Sequence, residues 1–142
     1  KAEKLRPILG KLHTLKPNRI EAELLSGVEI RDEKSLRRAA DKLLETGLRR
    51  VFISLGADGV FAADHHGAAR LPVIPGTVVN TTGCGDAFMA AITWAYLRGS
   101  DLEDTARLGL AASSVAMESG ETINPAMSSD ELCRRAGICK AL

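Results

Sequence analysis

Val78-Val79-Asn80-Thr81-Thr82-Gly83-Cys84-Gly85-Asp86-Ala87-Phe88 carries an extended segment through a polar, glycine-bearing loop into a long apolar helix. Glycines on both sides of Cys84 let the backbone turn tightly at that point. The N–H groups of Gly83, Cys84, Gly85 and Asp86 then converge at a helix N-terminus, where unpaired donors and a partial positive charge favour an anion. Asp86 sits in the same turn. A carboxylate beside an anion site is odd if binding is the only task. It fits a group that takes a proton from a hydroxyl attacking a phosphorus held by those N–H groups. The same residues also read as a plain glycine turn, with Asp86 only complementing the helix dipole. On this motif alone the two readings weigh equally. The P-loop pattern is absent and no lysine follows the second glycine.

Outward from this loop, glycine and proline divide the chain into short units. On the N-terminal side, residues 2–9 read as the end of a helix and 12–15 as a short strand stopped by Lys16-Pro17-Asn18. Asn18 caps a helix through Leu25, with Gly27 as its stop. Residues 35–46 place Leu36, Ala39, Ala40, Leu43 and Leu44 at helical spacing. Residues 50–55 read as a buried strand, 56–59 as a turn and 60–63 as another strand. His65-His66-Gly67 forms a hairpin tip, from which 69–73 pairs back, and Val78-Val79 ends a further extended segment. On the C-terminal side, the helix over 86–97 is apolar almost all round and is predicted to be buried on most sides, with Trp94 and Tyr96 against the sheet. A small-residue helix follows over 102–117, capped by Ser100 or Asp101, and a last short helix spans 130–136. Alternating helices and strands give an α/β class with a mainly parallel sheet.

Composition narrows the function classes. The chain has 142 residues, 45% hydrophobic and 26% charged, which suits one globular α/β domain. A net charge of +1 and 4% aromatic residues give no footprint for nucleic acid or for an anionic membrane. No apolar run approaches the roughly 20 residues of a membrane-spanning helix. Cys84, Cys133 and Cys139 are an odd count without metal-like spacing, and read as reduced thiols of a cytoplasmic protein. The chain opens at Lys1 rather than Met, and is expected to be a piece of a longer protein.

Two further motifs carry chemistry. Asn18 and Glu21 lie three apart and share a helix face. They form either a capping box or a pair in which Glu21, through water, helps place magnesium near phosphates. Ser54-Leu55-Gly56-Ala57-Asp58-Gly59 lies at the carboxyl end of a buried strand, where ligands gather in open α/β sheets, or is an ordinary strand–turn–strand link. His65 and His66 lack converging partners for a metal and read as a solvated loop. Arg134-Arg135 complements the dipole of the last helix.

Together these motifs resemble the C-terminal half of the ribokinase-like (phosphofructokinase-B type) sugar and nucleoside kinases. Residues 81–88 are similar to that family's second signature, D-T-T-G-A-G-D-x-F. Asn18 to Glu21 resembles its N-x-x-E motif, and 54–59 its nucleotide-contacting strand and turn. Leu12-His13-Thr14-Leu15-Lys16-Pro17-Asn18-Arg19-Ile20-Glu21-Ala22-Glu23 and Asn124-Pro125 are most similar to bacterial pseudouridine kinases within the family.

The resemblance implies the C-terminal part of a three-layer α/β/α domain over residues 1–142, without the N-terminal half and its β-sheet lid. It implies an ATP-dependent phosphotransferase acting on a primary hydroxyl of a sugar or nucleoside, with pseudouridine as the leading acceptor and this piece alone inactive. Asp86 would be the general base, and Gly83, Cys84 and Gly85 the anion hole. Asn18, Ser54, Gly56, Gly59, Ala111, Ala112 and Val115 would bind the nucleotide, and Glu21 would act on Mg2+ indirectly. ATP and a small-molecule acceptor are the implied partners, with a homo-oligomer left open. Asn80 stands where ribokinase has an aspartate near a monovalent cation, and residues 118–124 also differ, so potassium dependence stays open. Cys84 stands where alanine is usual. Only its N–H is needed, and its place at a helix N-terminus predicts a reactive, lowered-pKa thiol. The alternatives are a truncated, non-catalytic nucleotide-binding module, or a kinase of the same family for ribose, fructose or another nucleoside.

Overall fold

A computed structural model describes residues 1–138, and Cys139 lies outside the described residues. The chain divides into two compact units, Lys1–Arg70 and Leu71–Leu142.

The first unit opens with a 3-10 segment, Ala2–Lys11, that contains Pro7. Pro7 has no N–H for an α-helical ladder, which accounts for the tighter winding where the sequence predicts the end of a helix. Strand β1 (Thr14–Leu15) leads to helix α1 (Arg19–Ser26), capped by Asn18 and ended by Gly27 in the left-handed conformation, as expected. Helix α2 (Glu33–Glu45) starts two residues before the predicted Ser35 because Asp32 and Ser35 form a capping box of their own. In it, Ser35 N–H donates to Asp32 Oδ1 at 2.7 Å and Asp32 N–H donates to Ser35 Oγ at 2.9 Å.

Strands β2 (Arg50–Ser54), β3 (Val60–Asp64) and β4 (Ala68–Leu71) complete a sheet of order β1-β2-β3-β4. The sheet is mixed rather than mainly parallel. β1 runs parallel to β2, with Leu15 opposite Val51, whereas β2 runs antiparallel to β3, with Ser54 opposite Val60. Residues 55–59 are too short a link for a parallel return, which needs about a dozen residues or more. The strand predicted over 69–73 stops at Leu71 because Pro72 has no N–H to give the ladder. At the hairpin tip, Asp64 Oδ1 accepts from the N–H groups of His66 and Gly67 at 2.8 and 2.9 Å. His65 and His66 are exposed, as expected of a solvated loop, and His65 Nε2 lies 2.9 Å from Leu48 O, which ties the tip to the chain before β2.

Val51, Ile53, Phe61 and Ala63 face a core built with Leu36, Ala39, Leu43 and Leu44 of α2. Their neighbours Phe52, Val60 and Ala62 point to the opposite face and are buried as well. That double burial is why these strands read as continuous apolar runs. Each fully buried Leu or Ile contributes about 1.5–3 kcal/mol.

In the second unit, residues 72–83 form no strand, although the sequence predicts extended Val78-Val79. Instead the N–H groups of Val79 and Asn80 both donate to Met117 O, at 2.8 and 3.1 Å. Helix α3 spans Cys84–Leu97, helix α4 Leu102–Met117 with Asp101 as its cap, and helix α5 Ser129–Ala136 with Ser128 as its cap. Only one face of α3 is buried, by Phe88, Ala91, Ile92 and Ala95. Tyr96 and Leu97 are 45% and 77% exposed, against the expectation of a helix buried on most sides. Trp94 packs on the core shared by α3, α4 and α5, with the Arg98 guanidinium 5.1 Å from its ring centroid.

Candidate functional site

Helix α3 begins without a side-chain cap. Gly83 takes φ +87° at the N-cap position, a conformation that L side chains rarely adopt, and so delivers Cys84, Gly85 and Asp86 as the first turn. This is why α3 starts at Cys84 and not at the predicted Asp86. The amides of a first helical turn have no carbonyl four residues back. Of the three N–H groups assigned to an anion hole, that of Cys84 donates to Thr81 O at 3.3 Å, a long bond that turns it into the loop. Thr82 N–H donates to Asn80 Oδ1 at 2.9 Å, so Asn80 shapes the same loop.

Asp86 is exposed at the mouth of a cavity of about 710 Å³ within the second unit. Asn80, Thr82 and Gly83 form its polar rim, and Ala87, Ala112 and Trp94 belong to its apolar wall. Of the small-residue helix, Ala112 and Ala116 line the cavity. Ala111 and Val115 do not, because both are fully buried in the packing of α4. Asn124 was missed as a structural residue. Its Nδ2 donates to Val115 O at 2.7 Å and its Oδ1 accepts from Ala126 N–H at 2.9 Å, fixing the loop after α4.

The surroundings of Cys84 oppose the lowered pKa expected at a helix N-terminus. Partial burial pushes its pKa up, and Sγ donates to Ser113 O at 3.6 Å while Ser113 Oγ donates to Cys84 O at 3.0 Å. This reciprocal pair ties the first turn of α3 to α4.

The first unit holds a second cavity, of about 620 Å³. Asn18 and Ser54 meet there, because Asn18 extends the β1 line as a parallel bridge to Ser54. Ser54 N–H donates to Pro17 O at 2.9 Å, and Gly56 lines the same cavity. Gly59 does not line it; buried behind the turn at φ +89°, it accepts from Leu55 N–H at 2.8 Å. Charged Arg19, Glu23, Arg31 and Arg70 also line the cavity, and nothing in local spacing predicts that gathering.

The capping box between Asn18 and Glu21 is present. Glu21 N–H donates to Asn18 Oδ1 at 2.8 Å, and Asn18 N–H donates to Glu21 Oε2 at 2.9 Å. Among the described residues no cluster of three or more His, Cys, Asp or Glu could hold a metal ion. A lone carboxylate such as Glu21 still suits Mg2+, which keeps several waters and takes one or two carboxylates together with substrate phosphates.

A model of the pfkB family carbohydrate kinases matches residues 1–129. The pseudouridine kinase of Escherichia coli (strain K12) is 36% identical over 129 residues, 90% of this chain and 41% of that protein. The chain therefore spans about two fifths of the length of that curated relative. The crystal structure of Escherichia coli phosphofructokinase-2 in complex with substrates and products superposes with a TM-score of 0.84 at 27% identity, covering 96% of this chain and 45% of that one. Arabidopsis thaliana ribokinase complexed with ribose and ATP superposes with a TM-score of 0.80 at 26% identity, covering 92% and 43%. The fold is the ribokinase-like α/β fold.

Proposed function

Because the chain belongs to the pfkB family of carbohydrate kinases, we propose that it is the C-terminal portion of an ATP-dependent kinase for a primary hydroxyl of a sugar or nucleoside. Pseudouridine, converted to pseudouridine 5′-phosphate, is the proposed acceptor. One observation carries the reading: an uncapped helix start presents Asp86 at the mouth of a cavity rimmed by Asn80, Thr82 and Gly83.

Asp86 takes the proton of the acceptor hydroxyl. The freed oxygen attacks the γ-phosphorus, and the bond to ADP breaks as the new ester bond forms. Gly83 and the first-turn amides of Gly85 and Asp86 receive the charge on the transferring oxygens. Asn18, Ser54 and Gly56 bind the nucleotide. Ala112, with Ala116 in place of the buried Ala111 and Val115, offers the small-residue surface. Glu21 would help hold Mg2+ indirectly, and the ion would neutralise phosphate charge when bound. The pseudouridine assignment is supported by the relative at 36% identity.

The test is ATP consumption with pseudouridine, uridine, ribose, fructose or no acceptor. It is run on this chain and on a form extended N-terminally to the span of its relatives. Turnover with pseudouridine in the extended form supports the reading. Turnover with ribose or fructose keeps the kinase and removes the acceptor. Mg-nucleotide binding without turnover in either form favours a non-catalytic nucleotide-binding module.

A further inference from the structure

Arg135, on α5, reaches three partners at once. Its Nη2 lies 2.6 Å from Glu118 Oε2, its Nη1 3.0 Å from Ser114 Oγ, and its Nε 2.5 Å from Glu131 Oε1. The Arg135 side chain is only 15% exposed, so this is an enclosed clasp and not a surface pair. Two of the three partners grip another segment. Ser114, fully buried, donates to Pro75 O at 3.1 Å while accepting from Arg135. Glu118 accepts from Thr77 N–H at 3.4 Å through its other oxygen. Gly76, between those two anchor points, lies so close that a Cβ would meet Ser114 Oγ at 2.8 Å and Glu118 Oε1 at 3.0 Å.

Residues 75–80 thus form a strap laid flush on the clasp. Two residues further on, Val79 and Asn80 bond to Met117 O, next to Glu118. Asn80 then shapes the turn before Gly83 through Thr82 N–H. A guanidinium fork fixes direction as well as distance, which a lysine ammonium does not.

We propose that Arg135 is a positioning residue for the loop that carries Asp86, acting through Ser114, Glu118 and the 75–80 strap. The catalytic part rests on the kinase reading above; the mechanical part does not. A displacement of about 1 Å at a reacting group can cost on the order of a hundredfold in rate.

The experiment compares wild type, Arg135→Lys, Arg135→Ala and Glu118→Gln by amide hydrogen exchange. The same variants are assayed for turnover in the extended form. We expect Arg135→Lys to speed exchange at the amides of Thr77, Val79, Asn80 and Thr82 by about tenfold, with α3 and α4 little changed. We expect kcat to fall about tenfold with nucleotide KM within about twofold, the signature of a displaced reacting group. Glu118→Gln should give the same pattern more weakly. If Arg135→Ala does not fold, Arg135→Lys and Glu118→Gln decide. Unchanged exchange at those four amides overturns the proposal, even if melting temperature falls. So does faster exchange with kcat intact. If Asp86→Asn leaves turnover intact, the assignment of the base fails, and exchange alone then judges the clasp.

Discussion

Helices α1 and α3 both begin within motifs that resemble family signatures, yet they begin in opposite ways. At α1, Asn18 and Glu21 give their side chains to the backbone and close the end. At α3, Gly83 has no side chain to give, and the first turn faces a cavity. A closed helix start stabilises the fold; an open one costs stability and leaves donors for a ligand. The difference shows where this chain spends polar groups on itself and where it holds them for something else.

Removing the carboxylate at the open end should have the largest effect. Asp86→Asn is expected to lower turnover in the extended form by about 10²–10⁴-fold, with nucleotide affinity nearly unchanged. Parallel loss of rate and nucleotide binding, measured by calorimetry, would remove the base role. Next, Gly83→Ala puts a Cβ at φ +87°, where the nearest atom is Thr122 O at 3.8 Å, so backbone strain and not collision is tested. The expected cost is about 1–2 kcal/mol in denaturant unfolding, together with a lower kcat. Equal stability of the variant would show that the turn is not held in this conformation.

The closed end offers a finer pair. Asn18→Ala should lose about 1 kcal/mol of stability with its cap. Glu21→Gln keeps a side chain that completes a capping box, so its stability should match wild type. Its magnesium titration in the extended form should shift to higher concentration. An unshifted titration would leave Glu21 with capping alone.

The smallest effect concerns acid. Hydrogen bonds from Arg134 and then Arg135 hold the Glu131 carboxyl down at about 2, from an ordinary 4.5. Glu118 is lowered too, chiefly by the hydrogen bond from Arg135. Carboxylates depressed in the folded state stabilise it above their unfolded pKa, and that stability is lost as pH falls through the folded value. The second unit should therefore weaken as pH falls below about 4.5 towards 2, and Arg135→Lys should flatten this loss. Parallel melting curves of the two proteins against pH would show the carboxylates uninvolved.

Local chemistry was readable in the sequence. Asn18 and Gly27 bound α1 as predicted because cap and stop act within a few residues. The boundary at α2 moved because Asp32 and Ser35 are a stronger start than apolar spacing indicates. Sheet direction was misread because alternating helices and strands suggest parallel pairing, while no helix intervenes between β2 and β3 and the short link over 55–59 dictates a hairpin. In the site, Asn18 beside Ser54 was legible as two motifs but not as neighbours, since a β-bridge joins positions far apart in sequence. Arg135 was read as a dipole complement. Glu131 at i−4 could have been noticed, but Ser114 lies on α4 and Glu118 at its C-terminal cap.

The pairing of Cys84 with Ser113 gives the chain a built-in clock. A thiol that is partly buried, hydrogen-bonded and raised in pKa reacts slowly with alkylating reagents at neutral pH. Its labelling rate then reports how often the first turn of α3 lifts away from α4. A phosphate-bearing ligand settling on that turn would slow the clock, read through a native thiol with no engineered probe.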